Sequence, residues 1–136
     1  MTQLTQVTPD QVAKAYEALA TGDRERIREY WSDDLQWLVP GHSQLAGWKH
    51  GLDDFLEFMA TVGKLSGNSF NMESIAVVTS GEYSADETRN TGQRADDPRT
   101  LDIDVIHLLR WRDGKVVEGK GAIFGDGTAQ YDEFWA

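Results

Sequence analysis

Imidazole is the first chemistry to look for in this chain, which has three histidines and no cysteine. His107 is the strongest candidate. It falls within "TLDIDVIHLLRWR", where Leu101, Ile103, Val105, His107, Leu109 and Trp111 alternate onto one face of a strand. A histidine titrates near neutral pH, so in that row it could take a proton as a base or donate a hydrogen bond. The competing reading is a core histidine satisfied by a neighbour. His42 and His50 flank the segment "PGHSQLAGWKH" and read as solvated. The three histidines lack HxH or HxxxH spacing, and no thiolate is available, so no metal site is expected. There is no glycine-rich phosphate loop and no G-x-S-x-G elbow, and no cofactor is implied.

The strand that would pair with His107's is polar on both sides. In "EYSADETRNT" one face carries Tyr83, Ala85, Glu87, Arg89 and Thr91, and the other carries Ser84, Asp86, Thr88 and Asn90. If the first face looks inward, Glu87 could orient His107. If the second does, Asn90 and Thr88 line a pocket. The loop "ADDPR" hides the register, so both readings stand. Tyr16 lies in the helical stripe Val12, Tyr16, Leu19. That spacing favours packing, but a buried phenol needs a partner, and its hydroxyl could tip into a cavity. Trp31, Trp37, Phe58 and Trp111 either pack the core or shape the pocket. A pocket rich in such rings suits a planar apolar ligand.

The elements that must hold these residues are legible from punctuation and period. "VTPDQVAKAYEALATGD" reads as a helix with Thr8 as N-cap, Pro9 in the first turn and Gly22 as the stop. "RERIREYWS" reads as a short second helix with Ile27, Tyr30 and Trp31 on its apolar face. "DDLQWLVPG" is a strand broken at Pro40-Gly41. A third helix is expected from Trp48 to Leu65, burying Leu52, Phe55, Leu56, Met59 and Val62. From Phe70 the period becomes two: "FNMESIAVVTS", "EYSADETRNTGQR", "TLDIDVIHLLRWR" and "KVVEGKGAIF" are strands. The last two are joined by the hairpin signal Asp113-Gly114. "TAQYDEFWA" reads as a short closing helix. The expectation is one α+β domain over 1–136, with helices on one face of a curved antiparallel sheet.

Bulk properties narrow the function classes. The chain has 136 residues, a net charge of −10 and a pI near 4.6. Such acidity opposes binding to nucleic acid or to anionic membranes. The N-terminus "MTQLTQVTPD" lacks a basic stretch followed by an apolar one, and no segment has the length of a membrane span. A cytoplasmic protein is expected.

Four stretches carry a family resemblance: "AYEALATGD", "DDLQWLVPG" with the following "LAG", "LLRWRDGKVVE" and "YDEFW". In this order and spacing the chain resembles the nuclear-transport-factor-2-like superfamily, in its SnoaL-like polyketide cyclase and ketosteroid-isomerase branch. The resemblance covers nearly the whole chain. It implies a cone-shaped barrel, in which a curved antiparallel sheet and three N-terminal helices enclose an apolar cavity, and a homodimer formed through the sheet. It places Pro40-Gly41 at the cavity mouth, with Trp37, Val39, Phe58 and Val105 on the walls. In ketosteroid isomerases a carboxylate base precedes this proline; here that position is Val39, which cannot move a proton. The isomerases' oxyanion-binding aspartic acid is matched by His107, and their tyrosine donor falls one residue from Tyr16. Limonene-type epoxide hydrolases use Arg-x-Asp on the polar strand plus an Asp on the last strand, where this chain has Thr88-Arg89-Asn90 and Gly119, Lys120 and Gly121; their triad is not visible. The implied function is a cofactor-free cyclase or isomerase acting through His107 on a polyketide-like or other apolar aromatic metabolite. A non-catalytic ligand-sequestering protein is the alternative, and an epoxide hydrolase-like enzyme the second.

Overall fold

The computed structural model describes residues 6–136. In chain order the elements are α1 (Pro9–Thr21), α2 (Arg24–Arg28), β1 (Trp31–Val39), β2 (Gly47–His50), α3 (Leu52–Leu65), β3 (Asn71–Ser80), β4 (Tyr83–Gln93), β5 (Thr100–Arg112), β6 (Lys115–Ile123) and α4 (Gly127–Trp135). The strands form one mixed sheet in the order β2-β1-β6-β5-β4-β3. All neighbours are antiparallel except β1 and β6, which run parallel. Register shifts interrupt the β1–β6, β3–β4 and β5–β6 ladders. Such irregularities bend strands and raise twist, which curves the sheet. The expected α+β cone is formed by a sheet that wraps without closing, with β2 and β3 as its free edges.

The first helix follows its sequence signals. The Thr8 side chain accepts from the Gln11 amide at 3.2 Å, and the Gln11 side chain accepts from the Thr8 amide at 2.9 Å. This reciprocal cap satisfies two otherwise orphaned donors. Gly22 ends the helix in the left-handed region, at φ 67°. Val12, Ala15, Ala18 and Leu19 are buried.

Two boundaries differ from the sequence expectation. Helix α2 stops at Arg28, and Trp31 opens β1 instead of facing the core from a helix. The Val116 amide donates to the Tyr30 carbonyl at 2.8 Å, drawing this segment into the sheet beside β6. The Trp31 indole is fully buried and donates to the Ala15 carbonyl at 3.0 Å. Helix α3 begins at Leu52, and Gly47–His50 instead form β2 against β1, with Val39 opposite Gly47 and Gln36 opposite His50. Gly51, at φ 91°, turns the chain out of β2 before the helix starts. The other strands and α4 lie within a residue or two of the positions read from sequence.

The core lies between the concave face of the sheet and the helices. Trp31, Leu35, Trp111, Val116 and Ile27 are almost wholly enclosed at one end; Tyr131, Phe134 and Trp135 of α4 pack the other. Each such side chain contributes roughly 1.5–3 kcal/mol by leaving water. Helix α4 is held from the β4–β5 loop. Arg94 donates to the Phe134 carbonyl at 2.8 Å, and Arg99 donates to the Glu133 carbonyl at 2.8 Å. The two guanidiniums thus satisfy carbonyls that the helix end leaves free.

Candidate active site

Between the two packed ends lies a cavity of about 100 Å³. Helix α1 supplies Tyr16 to its wall, β1 supplies Trp37 and Val39, and α3 supplies Phe55, Phe58 and Met59. Strand β4 adds Asn90, β5 adds Val105 and His107, and α4 adds Tyr131. The lining is almost entirely hydrocarbon and aromatic. The expected wall residues Trp37, Val39, Phe58 and Val105 are all there, and so is Tyr16.

The register of β4 decides which polar side chains enter. Asp86 lies opposite His107 and Thr88 opposite Val105. The face bearing Ser84, Asp86, Thr88 and Asn90 is therefore inward, and all four are buried. The alternative in which the face of Glu87 looks inward and Glu87 orients His107 is not met. Glu87 stands on the outer face, opposite Ile106, where the neighbouring Asp104 carboxyl raises its pKa. Arg89 is also outside, in a bidentate pair with Asp102 at 2.7 and 2.8 Å.

Asp86 takes the place considered for Glu87. Its Oδ2 is 2.9 Å from His107 Nδ1, and its Oδ1 accepts from the Tyr16 hydroxyl at 2.9 Å. Asp86 is 2% exposed and His107 6%. A buried carboxylate is costly unless hydrogen-bonded donors surround it, and here one O–H and one ring N–H do so. Burial first, then the adjacent Asp86 charge, pushes the Tyr16 phenol well above its ordinary range, so it remains a donor. With Nδ1 carrying the hydrogen towards Asp86, Nε2 is the imidazole's free basic nitrogen. The Trp37 ring lies 5.6 Å from the His107 ring and 4.7 Å from Phe55.

Two glycines of β6 make room for this arrangement. A Cβ on Gly121 would come within 3.2 Å of Pro40 and 3.7 Å of His107. A Cβ on Gly119 would overlap the Trp37 indole. The break at Pro40-Gly41 therefore lays the proline ring over β6 beside the imidazole. Beyond it, the His42 amide donates to Asp132 of α4 at 2.8 Å, tying the mouth segment to that helix. The His42 side chain is exposed, and His50 pairs with Gln36 at the β1–β2 edge. Neither histidine lines the cavity.

A SnoaL-like domain model matches residues 12–119. The chain belongs to the SnoaL-like family. Searches of curated proteins return no match. Among solved structures, the fold is shared with Bal32a from a soil-derived mobile gene cassette, at 24% identity and a TM-score of 0.84, over 93% of this chain and 95% of that one. A protein of unknown function with a cystatin-like fold from Xanthomonas campestris is 26% identical, with a TM-score of 0.81, over 93% and 96% of the two chains. IdmH from Streptomyces antibioticus, a candidate polyketide cyclase, is 21% identical, with a TM-score of 0.71, over 90% and 96%. Among the described residues of this SnoaL-like protein, no helix is long and apolar enough to cross a membrane.

Proposed function

We propose that this SnoaL-like protein is a cofactor-free enzyme of the isomerase or cyclase type that moves a proton on a small apolar or aromatic molecule, with His107 as the acid/base. The observation that carries the reading is the chain of contacts from Tyr16 to Asp86 to His107 Nδ1, on the wall of an otherwise apolar cavity. A carboxylate bound to one imidazole nitrogen fixes the tautomer and aims the other nitrogen, as in hydrolase triads. Asp86 orients, Tyr16 orients Asp86, and His107 Nε2 takes and returns the proton. The low-polarity walls exclude water and strengthen each charge that develops inside. Structural similarity to a candidate polyketide cyclase from Streptomyces antibioticus and to an isomerase candidate from Rhodopseudomonas palustris is in line with this class. The working unit is taken to be a homodimer joined through the outer sheet face, in the cytoplasm.

Deuterium incorporation tests the chemistry without a known substrate. Phenylacetone carries an acidic C–H beside its carbonyl and an apolar ring. In D2O the protein should exchange that hydrogen faster than buffer, and His107→Ala should remove the excess. Val39, standing where related isomerases hold a base, favours the alternative of a ligand-sequestering protein. Tight binding with exchange equal in wild type and His107→Ala would establish that alternative.

A further inference from the structure

Asn90 is 4% exposed and lines the same cavity as His107. Its Oδ1 accepts from the Thr88 hydroxyl at 2.7 Å. In this arrangement the amide oxygen is turned to Thr88. The oxygen is occupied within the strand, and the NH2 group is the end left for the cavity. Among the described residues, none accepts from Asn90 Nδ2. An acceptor arriving with a ligand finds this donor without a protein partner.

Position adds a second constraint. Asp86 and Asn90 are on the same face of β4, four residues apart, and Asp86 is opposite His107. At about 3.3 Å per residue, the Asn90 rung is about 13 Å along the sheet from the His107 rung. The rung between them is Thr88 and Val105, so the wall joining the two polar points offers a ligand only apolar contact from Val105. Asn90 and His107 both line this one cavity of about 100 Å³, among aromatic walls from Trp37, Phe55 and Phe58.

We infer that Asn90 is a specificity-determining donor, and that the substrate is a flat conjugated molecule with an acidic O–H or C–H at one end and an oxygen acceptor at the other. This rests on the acid/base reading of His107. When His107 Nε2 takes the proton, the electron pair left on the substrate moves through the conjugated system onto the distant oxygen. There the Asn90 NH2 receives the growing negative charge. The proton resides on the imidazole, Asp86 balances it, and its return completes the cycle with no oxidant, reductant or added group. Thr88 is a positioning residue that holds the amide for this task.

Three simple compounds test it. 4-Hydroxyacetophenone carries an acidic phenol and a para carbonyl; 4-ethylphenol lacks the carbonyl; acetophenone lacks the phenol. Dissociation constants are measured by tryptophan quenching, and the absorption band of bound 4-hydroxyacetophenone is recorded. Asn90→Leu should weaken 4-hydroxyacetophenone and acetophenone about tenfold, the worth of one hydrogen bond, and leave 4-ethylphenol unchanged. Thr88→Val should shift affinity in the same direction by a smaller factor. In the wild type the bound band should move to the red, as the phenol yields its proton and the carbonyl takes charge. If both variants fold, by thermal midpoint, and keep the wild-type preference for the carbonyl compounds, the inference is overturned. It is equally overturned if His107→Ala, and neither of those variants, abolishes that preference. Carbonyl preference lost in Asn90→Leu, without a red-shifted band in the wild type, would support Asn90 as the donor while removing His107 as the base.

Discussion

At the scale of single residues, the reactive imidazole depends on the carboxylate behind it. Asp86→Asn keeps the shape but no longer dictates the tautomer, so exchange on phenylacetone should fall on the order of 10²–10⁴-fold with little change in binding. A fall of less than threefold would mean that Asp86 only packs. Tyr16→Phe leaves Asp86 with one donor fewer, and should cost about 1–3 kcal/mol in chemical denaturation. His107 was legible as a candidate because it interrupts an apolar alternation. Asp86 stands in the sequence as one member of a polar face, and nothing there singles it out. Both faces of β4 are polar, so hydrophobic pattern cannot phase the strand, and one residue of slip exchanges Asp86 for Glu87. The deciding signal is the register through the "ADDPR" loop, which is a property of three-dimensional pairing.

At the scale of elements, β6 and α4 set the shape of the pocket. Gly119→Ala introduces a methyl where the Trp37 indole lies, so the ring or the strand must yield. We expect a loss of about 1–3 kcal/mol by thermal melting and weaker binding of phenylacetone, because Trp37 also borders His107. Helix α4 brings a titratable marker of its own. Burial raises the Tyr131 phenol to about 12 from an ordinary value of 10.0. Below pH 10 its contribution is complete; from pH 10 it is lost as the unfolded chain ionises, until the folded pKa near 12 is passed. The wild type should therefore lose about 2–3 kcal/mol over that window through this group, and Tyr131→Phe should flatten the alkaline limb of the stability curve. An identical limb in the variant would assign the loss to other groups. Helix α1, β3 to β6 and α4 were readable because caps, period and turn pairs all agree there. Strand β2 was not. Four residues are too few to show a period, and in the sequence only Gly51 separates residues 48–50 from a genuine helix. The glycines at 41, 47 and 51, all with positive φ, mark the reversal.

At the scale of the whole molecule, the outer sheet face leaves apolar side chains in water: Ile75 is 54% exposed, Val78 64% and Leu108 45%. A dimer covering this face should sediment at about twice the chain mass at micromolar concentration. Leu108→Glu should return it to the monomer without disturbing the cavity, which lies on the other side of β5. A wild type that stays monomeric at high concentration removes the dimer. The α+β class and the cavity between sheet and helices were legible from element order, because each apolar face had only one place to go. The parallel pairing of β1 with β6 was not, and it has a kinetic consequence. Strands β3 to β6 join neighbours in sequence and can zip hairpin by hairpin. Trp31 meets Val116 only after roughly eighty residues of chain have been brought round, an entropic cost met before any contact repays it. The Trp37 wall should therefore be the last to arrive during refolding. A solution in which the meander has already acquired its amide protection should still be blind to ligand, until β1 docks and the pocket comes into being in a single late step.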